Sequence, residues 1–345
     1  MKGHATVSMR CIAQKAGVSH VTVSLALRND PRLPIETRRR IQSIAHELGY
    51  RPNPLVHALM AQVRIAKPVT RTTTLAFVTA FPTRDEWRKV SHIFRQYYEG
   101  AVERAQQTGY RIEEVWAKEP GMTGRRLTQV LRARNIRGLI IGPVPFARGH
   151  LSLDWSQFAA AALGYSMTRP DLHRAAPNHY HGITLALRKL KRLGYCRIGF
   201  AIPARSEERV NRVNLAGVLM HQHSQRPAHR VPPLLMDGYW DEKTFRAWLF
   251  KHRPEAVISH AAVVAMDIRR FGLRVPEDVA VVTLLWTAER AYCAGVNQHA
   301  EMIGAAAVDL VNGQLQRNEF GIPAHPKLVL INGEWVDGET VRKRQ

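Results

Sequence analysis

Between residues 8 and 48 apolar side chains recur every three or four positions, in three short runs separated by breaks. Met9, Ile12, Ala13 and Ala16 form the first run, and the spacing predicts a helix with one apolar face. Gly17 interrupts it, and Ser19 supplies a hydroxyl able to cap the next helix. That second helix is expected to reach about Arg28, with Val23, Ala26 and Leu27 on one face, and "NDP" ends it. Pro34 suits the first turn of a third helix whose apolar face holds Ile35, Ile41, Ile44, Ala45 and Leu48, with Gly49 as its C-cap. Three short helices joined by tight turns, with a glycine in the first, predict a helix-turn-helix unit. Val21 and Leu25 do not fit the buried face of the second helix. They form an apolar stripe where solvent would favour polar groups.

The pattern then changes twice. In "YRPNPLVHALMAQVR" two prolines prevent a continuous helix, and Pro54 opens a short segment rich in leucine, valine and methionine. A helix of about ten residues nucleates poorly on its own in water. Residues 66–73, "AKPVTRTT", read as a linker. From Thr74 onward short apolar runs alternate with helical patterns. "TLAFVTAF", "YRIEEVW", "GLIIGPV", "AAALGY", "RIGFAIP", "AVISH" and "VAVVTLL" are expected strands, with helices near 91–108, 180–193, 208–222 and 261–271. Strands that are apolar throughout and alternate with helices predict parallel βαβ units. About 270 residues of such pattern exceed one simple sheet, so two subdomains are expected.

Composition narrows the function. The net charge of +22 favours a polyanionic partner, and the first 64 residues carry ten Lys/Arg against three acids. No run of 18 apolar residues exists and the N-terminus has no secretory pattern, so no membrane span is expected and the cytosol is the expected location. Cys11, Cys196 and Cys293 are widely separated, without a C-x-x-C, and read as reduced, mostly packed thiols. The H-x-H pairs His179/His181 and His221/His223 have no evident third ligand and read as surface histidines rather than a metal site. No phosphate loop, nucleophile elbow or zinc-protease motif occurs, so neither catalysis nor a cofactor is expected.

"IAQKAGVSHVTVS", "ETRRRIQSIAHELGYRPN" and "LVHALM" resemble the DNA-binding head of the lactose-repressor/galactose-repressor (LacI/GalR) family. "RQYYEGAVERAQQTGYRIE", "RGLIIGPV", "LKRLGYCRIGFA", "FGLRVPEDVAVV" and "IGAAAVDLVNGQ" resemble, in order, its periplasmic-binding-protein-like effector domain. The resemblance implies an all-α helix-turn-helix head at 1–52, a hinge helix and linker at 53–73, and an α/β body at 74–345. The body divides into two Rossmann-like parallel-sheet subdomains, about 74–165 with 296–325 and 166–295 with 326–345. It further implies a homodimer that binds a pseudo-palindromic double-stranded DNA operator. His20, Val21, Ser24 and Leu25 match its base-reading positions; Ser8, Ser19, Thr22, Arg28, Asn29 and Arg32 match or neighbour its backbone contacts. In the hinge, Asn53 opens the segment and Leu59 matches the minor-groove wedge, with Val56 and His57 nearby.

The residue types at the reading face depart from the family. Many members carry a polar residue at the position of Val21 and an arginine at that of Leu25. A leucine cannot grip a guanine bidentately, although both apolar side chains can meet thymine methyls. Weaker direct readout is expected, with His20 and Ser24 as the hydrogen-bonding readers.

The family's effector site lies between the subdomains, beyond the carboxyl ends of the strands, as open α/β sheets require. Phe81, Trp87, Pro145, Asn178, His181, Arg209, Asn214, His260, Leu285, Trp286 and Gln298 are the candidate liners for a small molecule of unknown identity. Members that take sugars or purines usually have an aspartate at Leu285 and an arginine near Asn214. Their replacement favours an aromatic or less polar ligand. It also leaves open a ligand-blind DNA-binding regulator, and a cytosolic small-molecule binding module remains a more distant alternative.

Overall fold

The computed structural model describes residues 8–27, 29–30, 32–50, 73–260 and 263–344. The head contains α1 (Met9–Ala16), α2 (His20–Leu27) and α3 (Ile35–Glu47). Its core is small: Ile12 and Ala16 from α1, Val23 and Ala26 from α2, Ile41 and Ala45 from α3, each almost fully buried. Gly17 adopts φ +65°, the left-handed conformation that lets α1 end and α2 begin within three residues. Pro34 sits one residue before α3, as its N-cap, and Ile35 is exposed rather than packed on the helix face. Gln42 on α3 donates to the Ala26 carbonyl at 2.8 Å, tying the end of α2 to α3.

In the body, β1 (Thr73–Thr79), α4 (Glu86–Val90), α5 (His92–Gln107), β2 (Tyr110–Trp116), α6 (Gly124–Ala133) and β3 (Gly138–Ile141) follow in order. Then come the short β4 (Gly149–His150), β5 (Ala159–Leu163), β6 (Met167–Arg169) and β7 (His173–Pro177). The second unit contains α7 (His179–Arg192), β8 (Ile198–Pro203), α8 (Ala204–Glu208), α9 (Val213–His223), β9 (Leu234–Met236) and α10 (Glu242–His252). It continues through β10 (Ala256–Ser259), α11 (Val263–Arg270), β11 (Ala280–Thr283) and β12 (Ala294–Asn297). α12 (Ala300–Arg317), β13 (Leu328–Ile331) and β14 (Glu334–Val336) complete the chain.

The first sheet has the order β13-β7-β5-β3-β1-β2, parallel throughout. The second has the order β14-β12-β11-β10-β8-β9, parallel except for the β12–β14 edge pair. Helices cover both faces of each sheet, which is why the strands carry no polar alternation: Leu75, Ala76, Phe77 and Val78 are all buried, split between cores on opposite faces.

The expected subdomain boundaries move. β7 and β13 belong to the first sheet, so the chain crosses over at 177–179 and 331–334 rather than near 166 and 326; the third crossover lies at 297–300. The expected helix at 208–222 is two pieces, α8 and α9, because Asn211 and Arg212 adopt left-handed φ of 54° and 56° between them. Cys11 and Cys196 are exposed and Cys293 alone is buried, against the expectation of mostly packed thiols.

Candidate functional site

Two surfaces carry the chemistry. On the head, the core takes Val23 and Ala26 from α2 and leaves the opposite face outward. His20 is exposed, Val21 is 65% exposed, and Ser24 and Leu25 are half-buried beside them. Positions i, i+1, i+4 and i+5 share one face of a helix, so these four side chains form one stripe. Ser19 caps α2 by accepting from the Thr22 amide at 3.0 Å, and its hydroxyl lies 2.8 Å from that of Thr22. The start of α2 therefore presents a hydroxyl pair at a helix N-terminus, a setting that suits a phosphate.

The other expected backbone contacts have partners within the head. Arg32 forks onto Asp30 with nitrogens at 2.9 and 3.0 Å, and that pairing holds the Asp30 carboxyl at about 2. Asn29, in a left-handed turn at φ 55°, accepts from Arg38 at 2.7 Å. Ser8 occupies the N-cap position of α1, where its hydroxyl faces the Cys11 sulfur at 3.4 Å. Arg28 and the expected hinge residues Asn53, Val56, His57 and Leu59 lie outside the described residues.

The second surface is a cleft of about 360 Å³ between the two subdomains. Its walls come from segments that follow strand ends: Phe81 after β1, Pro145 after β3, Tyr165 after β5, His260 after β10, Leu285 after β11 and Gln298 after β12. Arg209 closes the list of expected residues that reach it. Gln298 is fixed by donating to the Leu284 carbonyl at 2.8 Å.

Five expected liners are absent from the wall. Trp87 is buried against Phe77 and Tyr98, ring centroids 5.5 and 5.6 Å away, and donates to Glu114. Asn178 caps α7 and donates to Asn332, and His181 bonds the Gly333 carbonyl, so both stabilise crossovers. Asn214 donates to Glu207 Oε1 at 2.8 Å, and Trp286 is half-buried outside the cleft. In their place the cleft uses Phe94, Tyr97, Arg205, Tyr239, Trp240 and His179. His179 is the plainest correction, since it is buried rather than a surface histidine. One signal was available: it lies two residues beyond the end of β7, but that strand carries too weak an apolar pattern to be found.

Electrostatically the cleft is one-sided. Burial pushes His179 down to about 3 and His260 to about 4, so both are neutral near pH 7. Burial, and then neighbouring Arg205, lower the Arg209 guanidinium to about 10, still charged. Arg209 donates across the cleft to the Val144 carbonyl at 2.5 Å and lies 5.6 Å from the Phe94 ring centroid. Arg205 stacks over Tyr239 at 4.4 Å.

A helix-turn-helix head followed by two parallel-sheet subdomains around a cleft defines a class: a DNA-binding module joined to a periplasmic-binding-protein-like body. Residues 8–53 match the model of bacterial regulatory proteins of the lacI family, and residues 187–341 match the periplasmic binding protein-like domain. The chain thus joins a head that matches the DNA-binding domain of lacI-family regulators to a periplasmic-binding-protein-like domain. Its relatives include the HTH-type transcriptional repressor PurR of Klebsiella pneumoniae (strain 342), 22% identical with 96% of this chain and 98% of the relative covered. Among solved structures, the lac repressor dimer bound to operator and an anti-inducer superposes with a TM-score of 0.56 at 20% identity, over 97% of this chain and 99% of that one. The transcriptional regulator CelR in complex with cellobiose gives 0.59 at 19%, over 97% and 100%.

Proposed function

We propose that the protein is a homodimeric repressor that binds a pseudo-palindromic operator and responds to a small molecule in the interdomain cleft. One observation carries the reading: α2 buries Val23 and Ala26 and leaves His20, Val21, Ser24 and Leu25 on one outward stripe. A helix held in this way can enter a major groove, the role of the second helix in helix-turn-helix proteins. His20 and Ser24 supply hydrogen bonds to base edges; Val21 and Leu25 supply contacts to thymine methyls. By resemblance Leu59 is the wedge that unstacks the central base step, which offsets a reading face poor in donors.

Selection of bound DNA from a random pool, run with the wild type and with Leu59→Ala, tests this. The expected result is a palindrome enriched by the wild type and weakened in the variant. Binding that is blind to sequence and falls steeply with salt would overturn the operator reading and leave only phosphate neutralisation.

A further inference from the structure

We propose, resting on the reading of the cleft as the effector site, that its ligand is a small aromatic carboxylate gripped by Arg205 and Arg209. The wall of the cleft contains no aspartate or glutamate among the described residues. Sugar hydroxyls are ordered by charged acceptors, and this wall offers none. Among the described residues its charged side chains are the two arginines. Neither forms an ion pair with a described residue: Arg209 has the Val144 carbonyl and Arg205 the Tyr239 ring.

Two acids that adjoin wall residues are occupied elsewhere. Glu207 is fully buried and accepts from Asn214 at 2.8 Å and from the Leu215 amide at 2.9 Å. Asp267 accepts from Trp240 Nε1 at 2.8 Å. Arg209, its pKa lowered chiefly by burial, and the half-buried Arg205 beside it thus share the cleft without a counter-charge among the described residues, and a desolvated cation is costly until an anion enters. Near them His260 Nε2 is shielded from solvent and has no hydrogen-bond partner among the described residues. It is a free ring nitrogen for a second polar group on the ligand.

The shape of the anion follows from the remaining wall. A guanidinium fork matches a planar carboxylate with two parallel N–H···O bonds. Phe81, Phe94, Tyr97 and Trp240 line the wall with aromatic side chains and Leu285 with an aliphatic one, which suits a ligand whose remainder is flat and apolar. A doubly charged phosphate would lose more hydration in such surroundings than a single carboxylate. The site is also placed to regulate. Arg209 belongs to the second subdomain and Val144 to the first, so a ligand on Arg209 acts on a bond that spans the cleft.

Calorimetric titration of the full-length protein with benzoate, 4-hydroxybenzoate and phenylacetate tests the proposal, with phenyl phosphate, benzyl alcohol and glucose as comparisons. At least one carboxylate is expected to bind about tenfold or more tightly than benzyl alcohol, and Arg209→Gln and Arg205→Gln are each expected to weaken it about tenfold. Arg205→Gln is also expected to leave the melting temperature of the unliganded protein unchanged or higher, since it removes an uncompensated charge. No carboxylate binding at millimolar concentration, or benzyl alcohol or phenyl phosphate binding as well as benzoate, would overturn the proposal. Glucose binding that is lost in Arg209→Gln would do so too, yet keep the cleft as the effector site. Benzoate binding that depends on both arginines but leaves DNA affinity unaltered would confirm the ligand class and remove the regulatory role.

Discussion

Asn214 donates to Glu207 at 2.8 Å, and the pair is sealed from solvent beneath α8 and α9. The bond explains why Asn214 does not face the cleft: its amide is committed to a buried carboxylate whose pKa burial raises and this hydrogen bond lowers. Asn214→Ala leaves one oxygen of Glu207 unpartnered, which costs about 1–3 kcal/mol. Urea denaturation is expected to show that loss, while ligand affinity in the cleft stays within about twofold of wild type. A large affinity loss with unaltered stability would show that Asn214 does reach the ligand.

Gly100 on α5 and Gly304 on α12 let two helix backbones touch. A Cβ on Gly100 would lie 2.0 Å from the Glu301 carbonyl oxygen, and one on Gly304 would lie 2.0 Å from that of Tyr97. Neither partner is a flexible side chain, so the helices themselves would have to part. Gly100→Ala and Gly304→Ala are each expected to destabilise by about 1–3 kcal/mol or more. Gly313→Ala, on the same α12 but facing only the end of Arg317, is the control and is expected to be neutral or stabilising by up to about 1 kcal/mol. Thermal unfolding of the three variants checks the contrast.

The two cleft histidines make stability fall on mild acidification. In the folded protein burial holds His179 at about 3 and His260 at about 4, below the ordinary 6.5. Above pH 6.5 both states are neutral and nothing is lost. Below it the unfolded chain takes up protons that the folded one refuses, so each histidine removes up to about 1.4 kcal/mol per pH unit until its folded value is reached. His173, His221 and His252, also lowered chiefly by burial, add with the same sign. Urea midpoints at pH 7 and pH 5 are expected to differ by a few kcal/mol in stability, and His260→Leu is expected to reduce the difference. An equal drop in that variant would assign the acid sensitivity to other groups.

The head was legible because its signals are local. Gly17 marks the turn, Ser19 caps α2, and the spacing of Ile12, Ala16, Val23, Ala26, Ile41 and Ala45 names the core. The long apolar strands were legible because both of their faces are buried. β7 was not, since "HRAAP" reads as polar. Arg174 is nevertheless buried, its charge met by the Gly164 and Met167 carbonyls at 2.7 and 3.0 Å and by Asp171 at 3.0 Å. Missing β7 shifted the expected crossover and hid His179. The cleft was half legible for a related reason. Residues just beyond strand ends could be named by rule, as with Phe81, Pro145, His260 and Leu285. Whether a polar residue faces a ligand or fastens the backbone, as Asn178, His181 and Asn214 do, depends on partners more than a hundred positions away or across a helix break.

Leu25 offers the sharpest test of how the head reads DNA. It lies half-buried on the outward face of α2, one turn from Val21, which is exposed. In its present form it can reward a thymine methyl but has no donor for a guanine. Leu25→Arg adds a guanidinium without disturbing Val23 or Ala26, so the fold of the head is expected to survive. The selected site is then expected to gain a guanine in each half, with about 1–3 kcal/mol of discrimination at that base pair. Binding is also expected to become tighter and more dependent on salt, since a positive charge is added at the groove. An unchanged preferred sequence would mean that α2 does not contact base edges at Leu25. Recognition would then rest on the hinge and on DNA shape alone.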